Sequence, residues 1–201
     1  RDLVEILRSR EELSCVEVVE ADALAFDFGA WSCGAPWIAA GNLPYNIATP
    51  LLMRWIESQG GPQRIVAMIQ RDVADRLVAA PNSPAYGSLS LAVQFAADVR
   101  RAFVLGPRSF FPQPKVESAV VVLERRAQPA VAVRDHAFFR QVVRGAFAYR
   151  RKTLANSLAL ALPLERSAVT AALARLGLDT EIRGEQLDLA GFAALADALG
   201  A

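Results

Sequence analysis

The feature that most constrains this chain is an alternation of short apolar segments with helical patterns. Strand-length apolar segments occur at 15–20 (the start of "CVEVVEADALAF", which runs into a loop at 21–22), 35–45 ("APWIAAGNLPY") and 64–70 ("RIVAMIQ"), and helical patterns occupy 48–61 and 71–80. Strands that alternate with helices build a parallel sheet covered by helices. The alternation therefore predicts an α/β fold, and the segment at 35–45 is apolar enough for a strand buried on both faces.

The later segments predict an antiparallel edge and a second domain. Strand patterns at 99–107 and 117–126 have no helix between them, which indicates an antiparallel pair. We predict a sheet domain over 1–127 and a small all-helical domain over 128–201, with "AQPAVAV" as the linker. The helical patterns of the second domain lie at 134–162, 165–178 and 187–199.

The helix at 48–61 carries clear boundary signals. Thr49 is placed to cap its start, Pro50 suits the first helical position, and the pair at 60–61 is Gly-Gly, which ends a helix. These signals predict a helix whose first residue is Pro50 and which ends before the glycine pair.

Composition indicates a globular chain. Hydrophobic residues make up 53% and charged residues 21% of the sequence, which is sufficient for a core. No apolar run approaches the roughly 18 residues of a membrane span, and no signal-peptide pattern occurs. Cys15 and Cys33 fit no metal or redox spacing, and we interpret them as buried thiols in a reducing compartment. His136 opens a helix and lacks a catalytic partner pattern.

Charge is distributed unevenly, although the net charge is only +1. Residues 100–152 hold 12 of the 22 basic and 3 of the 21 acidic residues, so this block carries +9 and the remainder −8. Such a block can be a solvated face balanced by acidic neighbours or a polyanion site. An asymmetry of this size favours the polyanion site.

Polar residues follow two predicted strands, at Asp22 and at 42–45. In open parallel sheets, ligands bind at the carboxyl ends of the strands. From the residues alone two interpretations stay open: turn and cap residues of ordinary strand-to-helix connections, or parts of a site. No G-x-G pattern of a nucleotide-binding turn occurs in the chain.

Longer motifs give the "NLPY" segment a context. It has the N-x-P-Y form shared by S-adenosylmethionine-dependent methyltransferases that modify exocyclic amino nitrogens. Four longer stretches accompany it: "MIQRDVADRLVAAPNSPAYGSLSLAVQ", "FFPQPKVESAVVVL", "AFAYRRKTLANSL" and "IRGEQLDLAGFAALADAL". With these motifs the chain resembles the small-subunit ribosomal RNA adenine N6,N6-dimethyltransferases over nearly its whole length. The resemblance implies a Rossmann-like class I methyltransferase sheet followed by a helical RNA-binding domain.

The resemblance implies a clamp for the target adenine. Asn42 and the Leu43 carbonyl would accept hydrogen bonds from its N6, Tyr45 would stack on the ring, and Pro44 fixes the backbone between them. Phe110 would cover the other face, and of the pair 110–111 we expect Phe110 to be the exposed ring.

Two further sets of residues follow from the resemblance. S-adenosylmethionine would be bound by Asp22, Ala23 and Asn42, with no metal. RNA phosphates would be met by Lys115, Arg144, Arg150, Arg151 and Lys152, and joint replacement of residues 150–152 should weaken RNA binding and flatten its salt dependence.

The implied activity is transfer of methyl groups to two adjacent adenines near the 3′ end of small-subunit rRNA. The implied partner is the immature small subunit in the cytoplasm, with no membrane and a monomeric full-length protein. The family also has a glycine-rich loop and an acidic residue that would lie before Arg1, so we expect this chain alone to bind the cofactor weakly or not at all. The alternatives are a large-subunit rRNA adenine methyltransferase of the macrolide-resistance type and a non-catalytic rRNA-binding assembly factor.

Overall fold

The computed structural model describes residues 2–200. Three short 3₁₀ turns, Glu11–Leu13, Pro107–Ser109 and Gly184–Gln186, accompany the helices and strands. The helices and strands are α1 (Asp2–Arg8), α2 (Phe28–Ser32), β1 (Ile38–Asn42), α3 (Ala48–Glu57), β2 (Arg64–Gln70), α4 (Arg71–Leu77), α5 (Ser88–Ala96), β3 (Ala97–Leu105), β4 (Ser118–Arg125), α6 (His136–Ala148), α7 (Leu154–Ala161), α8 (Arg166–Arg175) and α9 (Leu189–Leu199).

The four strands form one sheet in the order β1-β2-β4-β3. β1 and β2 are parallel, and β4 is antiparallel to both of its neighbours. This confirms the predicted α/β fold with an antiparallel pair at one edge. One face of the sheet is apolar because buried residues of β2 and β4 lie directly opposite each other, as the pairs Ile65–Leu123, Ala67–Val121 and Ile69–Ala119.

The strand predicted at 15–20 is wrong. Residues 14–27 form turns and irregular backbone, and within the described chain β1 has a partner strand on one side only, namely β2. The predicted burial of β1 on both faces is wrong for the same reason, since Ala39 is its only buried residue and Ile38 is 61% exposed. Alternating "CVEVVE" is a strand pattern, but a strand forms only where backbone partners are available.

The start of α3 differs from its predicted cap. The helix begins at Ala48, so Thr49 is its second residue and Pro50 its third, and Ile47 occupies the cap position. The Pro44 carbonyl accepts the Ala48 N–H at 3.0 Å, so the helix starts at Ala48 rather than at Pro50, the first helical residue that the Thr-Pro signal indicates. The helix ends at Glu57, and the chain then passes through a left-handed glycine at position 60.

Buried side chains form two clusters. The first joins the sheet to α3, α4 and part of α5, and the second joins α6–α9 to residues from the segment 79–95. The predicted linker at 127–133 is packed against the body of the protein, because Ala130 donates its N–H to the Phe95 carbonyl at 2.9 Å and Val131 and Val133 contact the second cluster. The division into two domains stays a prediction.

The structure also differs from two smaller expectations. Cys15 and Cys33 are exposed, so the interpretation of both as buried thiols is wrong. They lie in the 14–27 segment and at the end of α2, where the described chain offers little to cover them. None of the described helices is both long enough and apolar enough to cross a membrane.

Candidate active site

The Asn-Leu-Pro-Tyr segment lies at the carboxyl end of β1 and is fixed on both sides. Asn42 is the last residue paired with β2, and Leu43 continues the ladder by donating its N–H to the Met68 carbonyl at 3.0 Å. The Leu43 side chain is buried, and the Pro44 carbonyl begins the turn into α3. The ladder and the helix start therefore hold the backbone of this segment in one conformation.

Two hydrogen-bond acceptors in this segment are available to a ligand. The Asn42 side chain is exposed, and neither its amide nor the Leu43 carbonyl forms a hydrogen bond with any group among residues 3–200. Pro44 contributes no N–H that would compete for these oxygens. The segment thus presents an amide oxygen and a peptide oxygen from adjacent residues.

Tyr45 is held by a residue far away in the sequence. Its hydroxyl lies 2.9 Å from the Ser118 Oγ, at the first residue of β4. Ser118 is buried at 1% exposure, whereas Tyr45 is 38% exposed. The phenol is therefore anchored at its polar end while the ring stays accessible. Sequence reasoning missed Ser118, because 73 residues separate the pair.

An aromatic wall faces this segment. Phe110, Phe111, Pro112 and Pro114 line a groove together with residues 42–45. Phe111 is fully exposed and Phe110 is only half-exposed, so the prediction that Phe110 is the exposed ring is wrong. Phe110 ends the 3₁₀ turn with its N–H on the Pro107 carbonyl, which keeps it near the sheet, and Phe111 extends beyond the turn. Both rings border the groove.

An ion-pair network joins the strand ends beside Ser118. Arg71 pairs with Glu117 at 2.5 Å and with Asp75 at 3.6 Å, and Arg101 also pairs with Asp75. The hydrogen bond and charge of Glu117 raise the pKa of the exposed Arg71 guanidinium. Sequence reasoning missed this network, which links the start of α4 to the residue before β4 and to β3.

The predicted cofactor residues do not all meet in this groove. Asp22 and Ala23 are not among the residues that line it, whereas Asn42 is. Asp22 Oδ1 accepts the Leu24 N–H at 2.8 Å, which is a turn bond, and the Ala23 carbonyl accepts a hydrogen bond from Arg54 at 2.9 Å. Ala23 lies beside an aromatic cluster instead, formed by Phe26, Phe28, Trp31, Trp37 and Trp55.

The predicted phosphate contacts fall into two kinds. Lys115, Arg144, Arg151 and Lys152 are exposed and form no ion pair with any carboxylate that the structure describes. Arg150 is engaged within the protein: its guanidinium lies 3.5 Å from Glu185 and donates to the Pro84 carbonyl at 3.3 Å. The helical pattern predicted over 134–162 is interrupted, because residues 150–152 lie in the turn between α6 and α7.

The fold and this groove define the class of protein. A mixed α/β sheet that presents an Asn-Leu-Pro-Tyr segment at the carboxyl end of a parallel strand is the arrangement of Rossmann-like methyltransferases. Within that class, the chain belongs to the family described as ribosomal RNA adenine dimethylase, whose model matches residues 1–196.

Individual relatives agree with this family. The chain is 44% identical over 188 residues to the ribosomal RNA small subunit methyltransferase A of Geobacter metallireducens, with 92% of this chain and 68% of that protein covered. It is 41% identical over 200 residues to the protein of the same name from Desulfitobacterium hafniense, with 99% and 71% covered. A dimethyladenosine transferase structure from Plasmodium falciparum shares the fold, with a TM-score of 0.72 at 24% identity over 89% of this chain and 70% of that one.

Proposed function

We propose that this protein is an rRNA adenine N6,N6-dimethyltransferase that modifies two adjacent adenines near the 3′ end of small-subunit rRNA. The observation that carries the proposal is the pair of unengaged acceptors on Asn42 and Leu43, beside a ring fixed through Ser118. The relatives at 41–44% identity carry the name of small-subunit methyltransferases. The large-subunit alternative has no better support among them.

The acceptor pair suits the chemistry of an exocyclic amine. The lone pair of an adenine N6 is delocalised into the ring, so the amine is a weak nucleophile. Two acceptors aimed at its two hydrogens favour a pyramidal nitrogen whose lone pair points away from them. The Asn42 amide oxygen and the Leu43 carbonyl supply such acceptors from adjacent residues. The N–H becomes acidic only as the new N–C bond forms, so neutral acceptors suffice.

The aromatic rings of the groove would hold the target base out of its helix. Tyr45 offers one face, and Phe110 or Phe111 the other, across a groove that these residues line together. Stacking on aromatic side chains contributes roughly 1–3 kcal/mol per base, which offsets the cost of unstacking an extruded adenine. The partly buried Phe110 is our first choice for the second face, and the exposed Phe111 is the other candidate.

The residues present fit the adenine end of S-adenosylmethionine. Asp22 uses Oδ1 in its turn bond, and its Oδ2 forms no hydrogen bond within residues 3–200, so it can accept from an adenine amino group. The Ala23 N–H also has no acceptor there and can donate to a ring nitrogen. When bound, the cofactor supplies an electrophilic methyl group. No glycine-rich turn that would hold its methionine end occurs in residues 2–200.

The exposed basic residues are assigned to the RNA backbone. Lys115 follows the aromatic wall, Arg144 lies on α6, and Arg151 and Lys152 lie in the turn after it. Each phosphate contact releases counterions, so binding should weaken steeply with salt. We infer that the partner is the immature small subunit in the cytoplasm.

Methyl transfer from labelled S-adenosylmethionine to immature small subunits tests the proposal. Primer extension should stop at two adjacent adenines near the 3′ end of small-subunit rRNA. Stops in large-subunit rRNA would favour the alternative substrate, and RNA binding without methylation would favour a non-catalytic assembly factor. Calorimetry with S-adenosylmethionine, run alongside, separates a cofactor-binding defect from a non-catalytic role.

A further inference from the structure

A second cavity lies away from the Asn-Leu-Pro-Tyr groove. It has a volume of about 480 Å³ and is bounded by α3, α5, α6 and the end of β4. Cavities that hold small organic groups commonly have volumes of about 300–1,000 Å³. The proposed methyl-transfer chemistry uses none of the apolar residues on its walls.

The floor of the cavity is apolar and partly aromatic. Leu89, Ala92 and Phe95 of α5 face Phe139 and Val143 of α6 across it. The Phe95 and Phe139 rings are 4.8 Å apart between centroids. Ala92 is half-buried, so this wall is set back by a small residue between two larger ones. A flat, apolar group would fit against this floor.

The rim of the cavity is basic. Arg76, Arg140 and Arg144 line it and form no ion pair with any carboxylate among residues 3–200. Glu57 is the one acidic residue among those that line the cavity within the described chain. The rim therefore attracts an anion, and guanidinium groups bind phosphate oxygens in a bidentate way.

A buried donor adds to this charge. Arg126 also lines the cavity, and one of its terminal nitrogens pairs with Asp98. Its Nε is buried and has no acceptor among the described residues. Buried donors are nearly always satisfied, so an orphaned one indicates a missing acceptor.

We propose that this cavity binds one extrahelical nucleotide of the RNA substrate, distinct from the adenine that is methylated. Its base lies on the floor of α5 and α6, and its flanking phosphates lie on Arg76, Arg140 and Arg144. The proposal rests on the proposed function, because it takes its ligand from the same RNA. An acidic helix of a partner protein is the competing ligand, but a helix is about 10–12 Å across and needs an extended groove. The cavity instead suits one planar group on its apolar floor with anions at its basic rim.

Two variants separate the base from the phosphates. Ala92→Leu fills the floor without changing charge, and it should weaken binding of an RNA hairpin with an unpaired nucleotide by roughly 5- to 150-fold while leaving the salt slope unchanged. Arg140→Gln should weaken binding and reduce the slope of log K against log salt by about 0.7–0.9. Ala171→Leu and Arg166→Gln are matched controls, since both residues are exposed on α8.

The RNA probes are hairpins from the 3′ region of small-subunit rRNA, with and without the unpaired nucleotide. The proposal predicts that Ala92→Leu affects the hairpin with the unpaired nucleotide more than the fully paired one. The proposal would be overturned if each variant bound RNA with the same affinity as its control. It would also be overturned if a polyglutamate peptide, as a probe for an acidic partner helix, bound in an Arg140-dependent way. Urea unfolding checks that Ala92→Leu folds. If Ala92→Leu does not fold, the RNA affinity and salt slope of Arg140→Gln still test the proposal. If the wild type methylates and binds RNA, but the variants bind RNA as well as the wild type does, only this inference is refuted. If the wild type does not bind RNA, the proposed function is refuted.

Discussion

The contact between Tyr45 and Ser118 allows a prediction that depends on burial rather than on activity. The two hydroxyls lie 2.9 Å apart, but Ser118 is 1% exposed and Tyr45 is 38% exposed. Tyr45→Phe removes the only described partner of a buried serine oxygen. Ser118→Ala instead leaves a phenol that can turn to water. The two single changes break the same bond with unequal consequences.

The expected size follows from this asymmetry. A buried polar group left without a partner costs about 1–3 kcal/mol, whereas loss of a bond between groups that water can replace costs about 0.5–1.5 kcal/mol. Tyr45→Phe should therefore lower the free energy of unfolding more than Ser118→Ala. The double variant should be more stable than Tyr45→Phe alone, because the orphaned oxygen is gone. Residues in contact give such non-additive cycles.

Urea denaturation of the wild type, both single variants and the double variant measures the cycle. The slope of the free energy against urea must stay constant for the comparison to hold. Equal stabilities of Tyr45→Phe and the wild type, or no recovery in the double variant, would refute the reasoning. Methylation adds a second result: Tyr45→Phe should keep most activity because the ring remains, and Tyr45→Ala should lose it together with stacking worth roughly 1–3 kcal/mol.

Three further changes have distinct expected results. Asn42→Ala should abolish methylation and leave RNA affinity nearly unchanged, since this amide acts on one amine rather than on phosphates. Tyr86→Phe should lower the unfolding free energy by about 1–3 kcal/mol at neutral pH, because the buried Tyr86 hydroxyl donates to the Leu187 carbonyl at 3.1 Å. Replacing Arg151 and Lys152 by glutamine should reduce the salt slope of RNA binding by up to about 2.

Each of these changes has a control. A large loss of RNA affinity in Asn42→Ala, measured by filter binding, would contradict its role at the amine. Burial raises the pKa of Tyr86, so wild-type stability should fall as the pH rises above the ordinary tyrosine value of 10.0, where only the unfolded state ionises. Tyr86→Phe should show a smaller fall in urea unfolding at high pH. Arg150→Gln is the matched control for the basic turn, and a slope change as large as that of its neighbours would contradict its internal role.

Local sequence patterns predicted the strands of the sheet better than they predicted which segments find a pairing partner. The apolar run 64–70 coincides with β2, because both its length and its residues are typical of a buried strand. The run 15–20 has an equally good alternation but forms no strand, since pairing depends on a distant backbone. Helix α5 was missed, because its apolar residues point to both buried clusters and leave no polar face for periodicity to reveal.

In the site, too, residues that are close in sequence were predicted and residues from distant elements were not. The spacing of Asn42, Leu43 and Tyr45 follows from a single turn, and the structure keeps these residues together in one groove. Ser118 supports that groove from another strand, and no local signal indicates it. Arg150 looks like a phosphate ligand in sequence, yet its contacts with Glu185 and the segment 79–87 depend on the packing of distant helices.

These distant contacts hold the basic residues of α6 and the turn after it in place relative to the Asn-Leu-Pro-Tyr groove. The segment 79–87 is bound to the turn before α9 at two points: Asn82 donates its N–H to the Glu185 carbonyl at 2.8 Å, and Tyr86 donates to Leu187. Arg150 joins the same place from the turn after α6. The basic residues of α6 and its turn are thereby held at a fixed position relative to the sheet that carries Asn42. Phosphate contacts on a rigid frame can position a base for reaction, because the ordering cost is met by folding before the RNA arrives.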